Sequence, residues 1–124
     1  MDSPKYVKVS SLRVDTERST CGFRRRLIKK DDGAPASITR LNTHDAKAHW
    51  HRHTHEYYYV LEGSGTLVID AEEVPIVAGD CVWIKPPAMH FAVGDLESLI
   101  IAVPAFDPAD TFFEPEAALH AKAR

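Results

Sequence analysis

Apolar residues along this chain come in short runs of alternating or continuous type, and turn residues separate the runs. FRRRLI from Phe23, ASITRLN from Ala36, KAHWH from Lys47, EYYYVLE from Glu56 and GTLVID from Gly65 each read as a strand. EVPIV from Glu73, CVWIK from Cys81, MHFAV from Met89 and SLIIAVP from Ser98 complete the set. Gly63-Ser64-Gly65, Ala78-Gly79-Asp80, Pro86-Pro87 and Gly94-Asp95 punctuate them, and Asp70-Ala71-Glu72 predicts a hairpin in which Ala71 sits where glycine would fit more easily. Helical periodicity is nearly absent. The stretch EPEAALHAK, with Pro115 in its first turn, predicts one short helix or tail over 114–124. Many short strands at even spacing predict an all-β sandwich or barrel, although strand order is not legible from periodicity.

With 124 residues the chain has the length of one domain, and a sizeable core can form. A net charge of −3 supplies no basic footprint for nucleic acid. The one basic cluster is Arg24, Arg25, Arg26, Lys29 and Lys30. Alternation puts Arg24 and Arg26 on one strand face and Arg25 on the other, which reads as solvated strand edges, with a pocket arginine for an anionic substrate as the lesser alternative. The opening MDSPKYVKVS has no apolar core of the signal-peptide kind, and the longest apolar run, Leu99 to Val103, is too short for a bilayer. Cys21 and Cys81 are far apart and have no metal-type neighbour in sequence, so both read as structural. The expectation is a reduced, cytoplasmic protein without nucleic-acid or membrane partners.

The informative chemistry is HWHRHTHEYYYVLEGSG, residues 49–65, where four of the seven histidines occupy every second position. Residues two apart on a strand share a face, so His49 and His51 project together with Trp50 opposite. Neutral imidazoles facing one another inside a protein suit a divalent cation. Glu56 would add an anionic oxygen, but its parity is opposite, which requires a turn within Arg52 to His55. His90, after Pro86-Pro87, is the other histidine set among strand residues, while His44 and His120 read as surface residues. Tyr58 and Val60 share the parity of Glu56, and Tyr58 is the tyrosine best placed to touch a substrate.

The order His49-x-His51, four residues, Glu56, six residues, Gly63, followed by Gly79 and His90 in GDCVWIKPPAMH, resembles the two motifs of the cupin superfamily at the spacing of small single-domain bacterial members. The likeness spans Ala48 to Val93, with departures at turn positions: Thr43 for glycine, Lys85 for proline and Pro87 for glycine. It implies a cupin-type double-stranded β-helix, a jelly-roll barrel, with its core over about residues 36–104 and added strands within 5–30. It also implies one divalent transition metal (manganese, iron, nickel or zinc) on His49, His51, Glu56 and His90, with His55 as the alternative to Glu56. Dioxygenase or isomerase chemistry on a small organic molecule follows from the resemblance, and a non-catalytic ligand-binding module is the competing reading. Apolar residues on both strand faces, such as Tyr59 beside Val60 and Trp83 beside Ile84, predict a homodimer.

Overall fold

A computed structural model describes residues 4–115. Among these residues the regular structure is seven strands, β1 (Glu17–Ser19), β2 (Gly22–Ile28), β3 (Ser37–Thr43), β4 (His55–Ile69), β5 (Glu72–Val77), β6 (Cys81–Ile84) and β7 (His90–Val103), and three single turns of 3-10 helix. All pairings are antiparallel, in the order β1-β2-β3-β7-β4-β5, with β6 pairing the first part of β4 on the same edge as β5, opposite β7. The sheet curls into a jelly-roll barrel, as the resemblance implies. The helix expected over 114–124 lies almost wholly outside the described residues, as does His120.

Two pairs of expected strands are single strands. EYYYVLE and GTLVID are both parts of β4, and MHFAV and SLIIAVP are both parts of β7. The glycines expected to break them lie inside the β4–β7 ladder, where Gly65 faces Gly94. A Cβ on Gly65 would stand 2.2 Å from the Val93 carbonyl oxygen, so the glycine there permits close backbone approach rather than a turn. One extra residue, Leu61, interrupts the register between Val60 and Glu62. This bulge inverts the parity of β4: Glu56, Tyr58 and Val60 are buried before it, and Leu67 after it.

KAHWH differs from expectation too, because it forms two isolated bridges instead of a strand. The backbone of His49 pairs with His90, and that of Trp50 with Phe112. The chain passes between two partners, holding one each, and Trp50 is buried in a stack on Phe112 at a centroid distance of 4.6 Å. The hairpin at Asp70-Ala71 forms as expected, with both residues left-handed at φ 47° and 69°. A primed turn of this kind matches the strand twist even without glycine.

Leu41, Tyr58, Val60, Leu67, Ile76, Ile84, Ala92, Leu96 and Ile100 form the core. Each fully buried aliphatic side chain contributes about 1.5–3 kcal/mol relative to exposure. This packing fixes one end of β4 and β7, and with them the positions of Glu56 and His90.

Candidate metal centre

Three segments bring four donors together. His49 and His51 come from the bridge segment, Glu56 from the start of β4 and His90 from the start of β7, and all four are buried. One ligand atom from each lies within 4.8 Å of the others. The Nε2 atoms of His51, His90 and His49 stand 2.6, 2.9 and 3.8 Å from the same oxygen, Glu56 Oε1.

The remaining ring nitrogens define the chemistry. His49 Nδ1 lies 3.0 Å from the Lys47 carbonyl, His51 Nδ1 2.8 Å from the Asp110 carbonyl and His90 Nδ1 2.9 Å from the Ala88 carbonyl. A carbonyl only accepts, so each Nδ1 carries a hydrogen, and each ring in its neutral form presents a lone pair at Nε2. Three lone pairs and a carboxylate aimed at one point repel one another unless a positive charge lies between them. The donor set therefore fits a divalent transition metal, with the outer nitrogens oriented as such ligands require. Without a cation the cluster holds a proton in its place: burial alone would disfavour a charged His49, but the Cys21 sulfur and the Glu56 carboxylate outweigh it, the imidazole is pushed up to about 10, and a metal would displace that proton from Nε2. Burial would raise Glu56, yet His49, His51 and His90 hold it well below the usual carboxylate range.

The turn required between His51 and Glu56 is present, and Asp110 shapes it. Its Oδ1 accepts the Arg52 N–H at 2.9 Å, and its Oδ2 accepts the N–H groups of His53 and Thr54 at 3.0 and 3.1 Å. Asp110 thus holds both the loop and, through its carbonyl, the ring of His51. Nothing in the local sequence signals this role, because Asp110 lies 58 residues beyond Arg52.

His55 lies outside the group. Its ring meets the outer face of the sheet, where Nδ1 accepts the Trp83 indole N–H at 3.0 Å. His53 is exposed, His44 is exposed beside Asp45, and Lys85 sits 4.6 Å above the exposed Trp83 ring. Two expectations need correction. Cys21 does have a neighbour of metal type: its Sγ lies 3.8 Å from His49 Nδ1. Arg24 is not a solvated edge residue, because it lines the cavity beside the four donors.

That cavity, of about 80 Å³, is walled by Tyr58, Leu41, Ile100 and Ala102, by Phe106, and by the hydroxyls of Ser37 and Thr39. Burial, with the Glu56 carboxylate and the Cys21 sulfur nearby, holds the Tyr58 phenol well above its ordinary value, so it stays protonated. A larger hollow of about 630 Å³ lies elsewhere, among Trp50, Val68, Met89 and Phe91. Its one carboxylate, Asp70, accepts the Met89 N–H, and no donor cluster faces it.

A jelly-roll barrel with three imidazoles and a carboxylate at its centre is the arrangement of the cupins, and the cupin domain profile matches residues 40–95. The chain thus carries a cupin domain match over residues 40–95 and has the cupin fold. Uncharacterized protein MJ1618 of Methanocaldococcus jannaschii is 33% identical over 67 residues, 51% of this chain and 54% of that protein. The chain thus spans about half the length of the curated relative it matches. Among solved structures, a protein from Planctomyces limnophilus superposes with a TM-score of 0.80 at 28% identity, covering 90% of this chain and 97% of that one. The Streptomyces nucleoside dehydratase Pac13 superposes at 0.77 with 19% identity, over 91% and 97% of the two chains. Ectoine synthase from P. lautus superposes at 0.73 with 18% identity, over 86% and 88%. The likeness to the last two is one of fold.

Proposed function

We propose that this chain is a metal-dependent enzyme acting on a small organic molecule, with one divalent transition metal held by His49, His51, Glu56 and His90. The observation that carries this reading is the convergence of three buried Nε2 atoms on one carboxylate oxygen, each imidazole oriented by a backbone carbonyl. Manganese, iron, nickel or zinc bound there would supply Lewis-acid polarisation of a substrate oxygen, and iron or manganese would add redox chemistry of the dioxygenase kind.

The chain's own side chains do the rest. Tyr58 presents a phenol that donates a hydrogen bond to a substrate oxygen in the cavity. Ser37 and Thr39 offer hydroxyls, while Leu41, Ile100 and Phe106 exclude water around the reacting atoms. Two cupins of similar fold are a dehydratase and a synthase, which supports an enzyme over a ligand-binding module.

The test loads metal-free protein separately with iron, manganese, nickel and zinc. Each form is assayed against β-diketones, catechols, nucleosides and phosphosugars, with and without oxygen. Turnover with at least one metal, lost in His51→Ala, is expected. Turnover that survives metal stripping would sink the reading. Affinity without turnover on any metal would favour the binding module.

We also propose a homodimer in the cytoplasm. The outer face around β6 and β4 exposes Trp83, Tyr59 and Val103 together, and covering it by two-fold pairing is the economical solution. Cys21 and Cys81 are unpaired, as suits a reducing compartment. Among the described residues no helix is long and apolar enough to cross a membrane. A monomer mass by light scattering at micromolar concentration would reject the dimer.

A further inference from the structure

The cavity beside the four donors does not end at its own wall. It shares Ser37, Thr39 and Phe106 with a second pocket of about 290 Å³, lined by Arg26, Lys29, Lys30, Asp31 and Asp107. The two adjoin across these residues, and we read them as one cleft, with His49 and His51 at its inner end and basic side chains along its outer part. Four cations line this cleft or its continuation: Arg24, Arg26, Lys29 and Lys30. The acids set against them are Glu17, Asp31 and Asp107, and Lys30 is engaged with Asp107 at 2.6 Å.

Arg24 and Arg26 alternate onto the same face of β2, and both bring Nε to one oxygen, Glu17 Oε1, at 2.8 and 2.7 Å. Two guanidinium groups therefore share one carboxylate, which leaves an excess positive charge. Arg24 meets Glu17 through Nε, and its two Nη groups make no hydrogen bond among the described residues, which leaves them to act as a fork. The Phe106 ring stands 5.9 Å from the Arg24 guanidinium and supports its plane. Arg24 thus brings a positive charge that Glu17 only half compensates to the wall of the cavity.

We propose that the substrate is a small two-ended molecule: an oxygen-chelating head at the histidine and glutamate group, and an oxyanion tail, carboxylate or phosphate, seated on Arg24. The assignment of the head rests on the metal reading above; that of the tail rests on Arg24 and the cleft alone.

The test uses two matched pairs of probes. The carboxylate pair is 2-hydroxyglutarate against 2-hydroxyvalerate, and the phosphate pair is 3-phosphoglycerate against glycerate. Binding to cobalt-loaded protein is followed by the visible absorption of the metal, which needs no turnover. In at least one pair, wild type binds the member with the anionic tail about 10-fold tighter or more, a modest share of what a bidentate charged pair can supply. Arg24→Met abolishes that preference while cobalt uptake and the affinity for the neutral-tailed partner are unchanged. Arg24→Lys, which keeps a charge beside Glu17 but lacks the fork, folds as wild type and retains a reduced preference. Which pair responds identifies the tail. Absence of a preference in both pairs, or a preference that survives Arg24→Met, overturns the proposal. Failure to take up cobalt would be a failure of the metal reading, and the tail is then read by the NMR signal of the Arg24 Nε–H in metal-free protein. A shift with the anionic members alone supports the tail site; no shift overturns it.

Discussion

Removing the carboxylate of Asp110 tests whether the loop between His51 and Glu56 is held as described. Asp110→Ala deletes three acceptances from backbone N–H groups, at 2.9, 3.0 and 3.1 Å, and one from the Thr54 hydroxyl at 3.3 Å. Arg52 and His53 are exposed, so water replaces much of what their amides lose. Thr54 is buried, and its amide would be left without a partner. Hydrogen bonds to a charged group contribute about 1.5–3 kcal/mol when desolvated, so the total comes to about 2 kcal/mol, most of it at Thr54. For a domain of this size the melting temperature should fall by roughly 6–12 °C. Asp110→Asn can keep the Oδ2 acceptor and should lose about half as much, since one oxygen cannot serve both sides of the loop.

The pH dependence fixes the cause. Partial burial would raise the Asp110 carboxyl, but the N–H groups of His53, Arg52 and Thr54 hold it below its ordinary value. A lowered carboxyl contributes stability above its unfolded value, near 4, and loses it as pH falls through the folded value. In metal-free protein the gap between wild type and Asp110→Ala should therefore be full at pH 7 and shrink below about pH 4. Thermal unfolding at both values measures it. Equal melting temperatures at pH 7, or a gap that is the same at pH 3, would refute the reasoning.

Other consequences are open to direct measurement. Asp110→Ala should also weaken metal binding by about 10-fold in calorimetric titration: it keeps the backbone carbonyl that orients His51 but frees the loop that holds that carbonyl against the ring. His51→Ala and His90→Ala should empty the protein of metal by elemental analysis, whereas His55→Ala should retain it, since that ring bonds Trp83 outside the cluster. Chelation should lower the melting temperature of metal-loaded protein, by the equivalent of about 2.7 kcal/mol when the starting metal stands at 100 times its dissociation constant. Gly65→Ala should destabilise by about 3 kcal/mol in denaturant unfolding, because its Cβ would collide with the Val93 carbonyl at 2.2 Å. Ala71→Gly should be neutral to stabilising, by up to about 1 kcal/mol, since it relieves a left-handed alanine at φ 69°.

Much of this architecture is legible along the chain because a strand repeats every two residues. That periodicity places Glu56, Tyr58 and Val60 on one face, and it demands the turn that Asp110 is found to shape. It fails at Leu61, where one extra residue inverts the parity and makes β4 look like two strands separated by Gly63-Ser64-Gly65. Glycine in a close-approach ladder and glycine in a turn are the same letter, so the difference emerges only when Gly65 meets Gly94 across the sheet. The four candidate donors stand out because their spacing resembles a family. Cys21, Arg24, Asp110 and Phe106 carry no such signal, since contact between distant strands brings them to the site. Alternation did put Arg24 and Arg26 on one face, but whether that face looks inward depends on the closing of the barrel.

The most direct test of the central claim is an anomalous difference map from a crystal of metal-loaded protein, collected at the absorption edge of that metal. A single peak per chain is expected, roughly 2.0–2.3 Å from Nε2 of His49, His51 and His90 and from a carboxylate oxygen of Glu56. A peak bound by His55 in place of Glu56, or no peak among these four residues in protein that carries the metal, would contradict it.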